Sequence, residues 1–522
     1  MAKVKHEGIV SGIGAAFGKK GGLFSGRSRG VLCLLALMAA PLFAQAPSEY
    51  PRSAVLDEAL YESLPRRSPL ASSAYEFLPK AVSLKAYAPA PGDQTPYGTC
   101  VGWAAAYAAR TISEARALGR KDRSEITANA FSPVYIYKSI SDDPECQEGA
   151  SISAALDMMK VKGAVKMLSD ELNTDVTKIP LSSYASSKRY PIAGYVTLYQ
   201  NPRFAGMLSQ INLVKKSLAS GKPVIIGMNT PPSFFEPGEV WRPRENPMGF
   251  YGGHAVCVVG YDDEKEGGAF EVLNSWGKKW GRGGFVWIPY NTFSRWIREA
   301  YEIIDNLSAY EDAARFGGMA RLELGGNRGS MALALNEEGY YQSTETWPSD
   351  TEFRVFLENR YPAYVYAFTA DSRTASVTRV FPPEEGNVSA ILDYSDSAVV
   401  WPSEDQWIRL GDNPGTDFLI MLFAKEELDI RSIQNRFERT QGSLPERVRE
   451  ALGKRAALFG RQRAGGTAAG QDAAAGAPGA SGMPGAANAA NTARKLSDMV
   501  FSAQSGNIRS VFALLVAIER GE

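Results

Sequence analysis

The sequence predicts an α+β chain: a two-lobed domain, helical first and strand-rich second, followed by an antiparallel β-sandwich-like domain. Three observations carry this. A helix-forming run opens at Cys100 and continues to about Arg120. Gly-punctuated runs rich in Val and aromatics come later, at Ala255–Tyr261, Ala269–Leu273 and Gly284–Ile288, the composition of short strands. Beyond residue 310, short β-like runs alternate with turn chemistry such as Gly325-Gly326-Asn327 and Asp412-Asn413-Pro414-Gly415.

A chain of 522 residues holds two or three domains with substantial cores. Its 44% hydrophobic and 22% charged residues are ordinary for soluble globular protein. The zero net charge hides a basic leader, since residues 1–44 carry six basic residues and one acid. Residues 45–522 carry 51 basic against 56 acidic residues, or −5, which excludes bulk attraction for nucleic acid or anionic membrane. The leader reads as a secretory signal, with a basic Gly-rich lead, the apolar run Val31–Ala40, and Pro41-Leu42-Phe43-Ala44, where cleavage is expected. That apolar run is too short to span a bilayer, so an exported product without a stable membrane span is expected in periplasm, cell surface or medium.

The chemistry concentrates in three stretches. Gln94 stands six residues before Cys100 in Gln94-Thr95-Pro96-Tyr97-Gly98-Thr99-Cys100-Val101-Gly102-Trp103. A cysteine opening a helix has its thiolate favoured by free backbone N–H groups and the positive end of the dipole. A thiol still needs an imidazole as base. The chain has two histidines, and His6 falls in the leader, which leaves His254 in Gly252-Gly253-His254-Ala255-Val256. Asn274 stands in Leu273-Asn274-Ser275-Trp276-Gly277, ahead of Trp280, Gly281, Gly283 and Gly284.

Together these stretches resemble the papain-like cysteine peptidases, over roughly residues 78–307. The resemblance implies a two-lobed papain-like fold with the substrate cleft between a helical and a β-rich lobe. It implies Cys100 as nucleophile, His254 as general base and Asn274 as the group that fixes the imidazole. Gln94 would be an oxyanion donor and Trp276 a shield over the His–Asn hydrogen bond. Gly149, Ile226 and Ala255 would line the substrate side, suggesting an apolar second subsite. The partner is then a protein or peptide substrate, and no cofactor or metal is expected. Tyr97 stands where the family has a structural cysteine, so Cys146 lacks its usual partner. No obligatory disulfide is expected, with Cys146–Cys257 as a minor alternative. Gly253 before the histidine and the interrupted cysteine-tryptophan pair suggest a divergent bacterial-type member. The alternatives are an inactive papain-like binding or surface-interaction module, and a Cys–His exopeptidase or acyl transferase.

Outside these stretches, residues 45–77 form a Pro- and Ser-containing lead, shorter than the family's propeptides, which leaves either no inhibitory prosegment or another restraint. In the helical part lie an apolar segment, Phe131–Ile140, and the run Ile152–Val165, whose Ile152, Leu156, Met159 and Val161 suggest a buried face. A helix over Phe204–Ala219 leads through Ser220-Gly221-Lys222-Pro223 into the strand Val224–Met228. The insertion 231–251, with Phe234, Phe235 and Trp241, either overhangs the cleft or is a surface loop.

Residues 318–460 make the β-rich accessory domain. It is similar, through Asn359-Arg360-Tyr361-Pro362-Ala363-Tyr364-Val365-Tyr366-Ala367-Phe368 and Gly415-Thr416-Asp417-Phe418, to a domain of unknown function found beside bacterial peptidases. It contains no Cys or His, which excludes thiol or zinc chemistry and suggests docking to a protein or cell-surface partner. A charged helical stretch, Glu426–Phe459, precedes an Ala/Gly/Pro-rich linker at 463–492. In 493–522, the apolar run from Val511 reads as a strand returning to the sandwich, with a helical membrane or partner contact as the alternative.

Overall fold

In the computed structural model, which describes residues 50–199, 206–305, 315–326, 328–374, 376–394, 397–453, 456–458, 499–504 and 511–521, the run opening at Cys100 is one helix over residues 100–117. The expected signal segment and the Ala/Gly/Pro-rich linker lie outside the described residues. The helix is wound wider, as a π-helix, over Trp103–Arg110. The alanines of that wider stretch are buried, and so small a surface lets neighbouring elements approach closely. Gly102 is required for the same reason, because a Cβ there would stand 2.2 Å from the Pro133 carbonyl oxygen. Pro133 begins a short helix, Pro133–Lys138, capped by the Ser132 hydroxyl, which accepts from the Tyr135 N–H. The helix Ile152–Val161 is capped likewise by Ser151. Ile152, Leu156 and Met159 are buried as the spacing suggests, but Val161 is 78% exposed. It sits at the last turn, where the helix ends before the apolar run does.

The strands of this domain are β1 (Ala81–Ser83), β2 (Gly194–Thr197), β3 (Val224–Thr230), β4 (Gly252–Asp262), β5 (Ala269–Leu273), β6 (Phe285–Pro289) and β7 (Ile297–Ile304). They form one sheet in the order β2-β7-β3-β4-β5-β6, with β1 also paired to β4. His254 lies near the start of the long central strand β4, opposite Met228. Asn274 comes directly after β5, which pairs with β4. The helix Met207–Ala219 packs on β3 and β4.

The second domain contains β8 (Arg315–Leu324), β9 (Leu333–Leu335), β10 (Tyr341–Ser343), β11 (Glu352–Asn359), β12 (Ala363–Asp371), β13 (Val377–Phe381), β14 (Ile391–Leu392), β15 (Ala398–Trp401), β16 (Ile408–Arg409), β17 (Gly415–Ala424), β18 (Ala456–Leu458), β19 (Met499–Gln504) and β20 (Val511–Arg520). One sheet runs β13-β12-β17-β20-β10-β9 and the other β15-β11-β8-β19. Their shared core includes Leu322, Val355, Met421, Leu514 and Phe512. The pairing is mostly antiparallel, but β10 and β18 both run parallel to β20. Two helices, Ile430–Arg439 and Leu444–Leu452, cover the outer face of the larger sheet, where Leu515, Ala517, Phe437 and Val448 meet. β20 is therefore buried on both faces, which is why its sequence is unbroken apolar rather than alternating.

Candidate active site

Cys100 stands at the N-terminus of the central helix, and His254 on the facing sheet; both are fully buried. The N–H of Ala255, next to the histidine, points at the Cys100 sulfur, as does that of Val101. His254 Nε2 donates to Asn274 Oδ1 at 2.8 Å, and the same oxygen accepts from the Ser275 N–H at 2.8 Å. This fixes the proton on Nε2 and leaves Nδ1 unprotonated, buried and without a hydrogen-bond partner. Trp276 stacks on the imidazole with ring centroids 4.4 Å apart, covering the His–Asn hydrogen bond. Gln94 is buried and bridges the lobes. Its Oε1 accepts from the Ser275 hydroxyl at 2.6 Å and its Nε2 donates to the Tyr97 carbonyl at 2.8 Å. Tyr97 donates its hydroxyl to Asp175 at 2.6 Å. Cys100, Cys146 and Cys257 are all free thiols.

The segment before residue 78 does what its length did not suggest. Its residues 50–57 lie extended in the cleft, ahead of a short helix, Glu58–Ser63. The Ala54 N–H donates to the Gly253 carbonyl at 2.9 Å, and Val55 N–H to that of Ala150 at 2.9 Å. In return the Ala150 N–H donates to Ser53 O at 3.1 Å. Ser53 sets its hydroxyl 3.7 Å from the Cys100 sulfur and points its N–H there too. Glycines admit this chain: a Cβ at Gly253 would come within 2.1 Å of the Ala54 oxygen, and one at Gly149 within 2.2 Å of the Ser53 oxygen. Upstream, Tyr50 stacks on Trp276 at 4.7 Å. Downstream, Leu56 packs against Gly227 and Gly253.

Gly149 and Ala255 are thus at the cleft, but Ile226 is not. Successive strand residues face opposite ways, and since Gly227 meets Leu56, Ile226 points into the core behind. Gly227 is the residue that sequence reasoning missed. The insertion 231–251 does reach the site. Phe234 is buried edge-on to Trp276 at 5.7 Å, and Phe235 lies 5.9 Å from both Tyr50 and Trp276.

With the cleft covered, the electrostatics hold the pair neutral. Burial pushes the Cys100 thiol up. Burial also brings His254 down to about 4, outweighing the hydrogen bond that its ring donates to Asn274, which works the other way.

The profile of papain family cysteine proteases matches residues 94–303. An uncharacterized peptidase C1-like protein of Acanthamoeba polyphaga mimivirus is 28% identical over 211 residues, covering 38% of this chain. The match spans 63% of the viral protein's length. Among solved structures, xylellain, a cysteine protease from Xylella fastidiosa, is similar at 22% identity and a TM-score of 0.38, covering 50% of this chain and 97% of that one. Procathepsin B S9 from Trypanosoma congolense is similar at 14% identity and a TM-score of 0.37, covering 49% and 86%. On the profile match, the segment spanning residues 94–303 is similar to the papain family of cysteine proteases.

Proposed function

We propose that the chain is an exported cysteine endopeptidase, held latent by residues 50–57. One observation carries the reading. A cysteine at a helix N-terminus and an oriented His–Asn pair face a single cleft that already holds an extended peptide, hydrogen-bonded to both walls. A substrate strand would take that peptide's place. Cys100 Sγ attacks the scissile carbonyl carbon while its proton passes to His254 Nδ1, the nitrogen that Asn274 leaves free. The imidazolium then protonates the leaving amine, and the thioester is hydrolysed by water with His254 again as base. Gln94 Nε2, which carries a second hydrogen beyond the one given to Tyr97, and the Cys100 N–H supply the oxyanion donors.

Residues 50–57 block this in two ways. They fill the substrate groove, and they exclude the water that a thiolate–imidazolium pair requires. Ser53 gives the sulfur an N–H and a hydroxyl rather than a carbonyl carbon, so it sits there as an inhibitor. The contact of Leu56 with Gly227, which Ile152 also approaches, supports a preference for an apolar substrate residue near the scissile bond. The basic and apolar pattern of residues 1–44 supports export.

The test uses an epoxysuccinyl thiol-peptidase inhibitor and N-terminally blocked fluorogenic peptides on the full chain and on Leu56→Ala, with Cys100→Ala and His254→Ala as controls. Labelling at Cys100 that depends on His254, together with cleavage of blocked peptides, is expected. Cleavage of unblocked peptides only would assign an exopeptidase instead. Folded Leu56→Ala protein that neither labels nor cleaves overturns the proposal.

A further inference from the structure

Past the cleft, the same N-terminal segment runs between the two domains and bonds to both. The Arg67 N–H donates to Thr197 O of β2 at 2.8 Å, and the Thr197 N–H to Pro65 O at 2.9 Å. On the other side, the Arg66 N–H donates to Asn387 O at 2.7 Å, Ser389 N–H to Arg66 O at 2.8 Å, and Ala71 N–H to Ala398 O at 2.7 Å.

Between these bonds the Arg67 side chain, 3% exposed, enters a closed cluster. Its guanidinium pairs with Glu302 of β7 and with Asp393, just after β14, and lies 4.3 Å above the Tyr394 ring. Lys222 is the second cation. Its Nζ is 3.0 Å from Glu302 and pairs also with Asp393. The Ser217 hydroxyl donates to Glu302 at 2.6 Å, and the Tyr394 hydroxyl donates to Glu302 as well. Burial alone would raise the Asp393 carboxyl; Arg67 and then Lys222 bring it to about 2.

The charge count is two cations against two carboxylates. With Arg67 withdrawn, one nearly fully buried carboxylate has no counter-charge, which a low-dielectric site does not tolerate. Two carboxylates at the ends of a planar fork, with an aromatic face below, suit a guanidinium rather than an ammonium.

We propose that Glu302, Asp393 and Tyr394 form a guanidinium socket at the domain junction, and that Arg67 seated in it latches the segment that covers Cys100. The C-terminal domain thereby controls access to the cleft. The regulatory consequence rests on the peptidase reading, but the latch itself does not, and the experiment separates them.

The full chain is treated with iodoacetamide, and modification is followed at the Cys100 peptide by mass spectrometry. Arg67→Met is expected to label at least tenfold faster than wild type. Lys80→Gln, which removes an exposed pair with Glu264, stays within twofold. Arg67→Lys, which keeps the charge but loses the fork, labels at least threefold faster and decides the matter if Arg67→Met does not fold. Millimolar methylguanidinium is expected to raise the thermal midpoint of Arg67→Ala, more than methylammonium does, while labelling stays fast because the ion is not tied to the segment. Folded Arg67→Met or Arg67→Lys that labels at the wild-type rate overturns the latch. Equal effects of the two ions overturn the guanidinium socket. Fast labelling without cleavage of blocked peptides upholds the latch and defeats the endopeptidase reading.

Discussion

Replacing Leu56 by Ala should loosen the cover over Cys100 without touching any group of the site. Leu56 is partly buried, with its side chain against Gly227 and Gly253. A fully buried Leu→Ala change costs about 2–5 kcal/mol. For a half-buried side chain the lower end applies, about 2 kcal/mol. All of that falls on the closed state, because an opened segment would leave Leu56 in water in either protein. At about 1.4 kcal/mol per tenfold, the open population rises about 30-fold. Cys100 is fully buried when covered, so iodoacetamide reaches it only through opening. When opening is fast compared with alkylation, the rate follows the open population. Alkylation at Cys100 should therefore accelerate about 30-fold at neutral pH. Global stability is measured alongside by urea unfolding. A Leu56→Ala protein that labels at the wild-type rate refutes the reasoning. So does acceleration at Cys257 equal to that at Cys100, since both would then report unfolding of the whole domain.

Gln94→Ala, made in the Leu56→Ala background, should lower kcat about 100–1000-fold with KM little changed, measured on blocked peptides, because the proposed mechanism then lacks one oxyanion donor. Glu299 accepts from the Asp57 N–H and the Tyr301 hydroxyl, and burial raises its carboxyl to about 7 from 4.5. The raised value means stability is fully present below pH 4.5 and is lost as pH rises through 7, about 3 kcal/mol in all. Glu299→Gln should remove that part of the pH dependence, read from thermal midpoints at pH 5 and 8. Gly102→Ala forces a Cβ to within 2.2 Å of the Pro133 oxygen and should destabilise the domain by about 1–3 kcal/mol in urea unfolding.

Much of this was legible in the sequence, for physical reasons. Cys100, His254 and Asn274 stand in local patterns, and a single histidine outside residues 1–44 makes the base assignment simple. Short-range patterns could also place β4, β5 and β6, because Val and aromatic runs bounded by glycine specify strands locally. What escaped depends on contacts distant in sequence. Residues 50–57 carry no helical period, and their role comes from backbone bonds to Ala150 and Gly253, which no composition reveals. Ile226 was misplaced by one residue, which in a strand means the opposite face. Val161 was expected inside because its spacing fitted, yet its helix ends there. For Gly227 the available signal was weak: a glycine within an apolar strand marks a close approach by something else.

β20 has one more implication. Val511–Arg520 lies between β17 and β10 and pairs with β17 along its whole length, although almost ninety residues separate the two in the chain. Until β20 is synthesised, the run Phe418–Ala424 has an open edge and two apolar faces, the condition in which strands find wrong partners. The papain-type half, which precedes it, has no such wait. During synthesis the half that holds Cys100 and His254 can therefore assemble well before the sheet that carries Asp393 is complete.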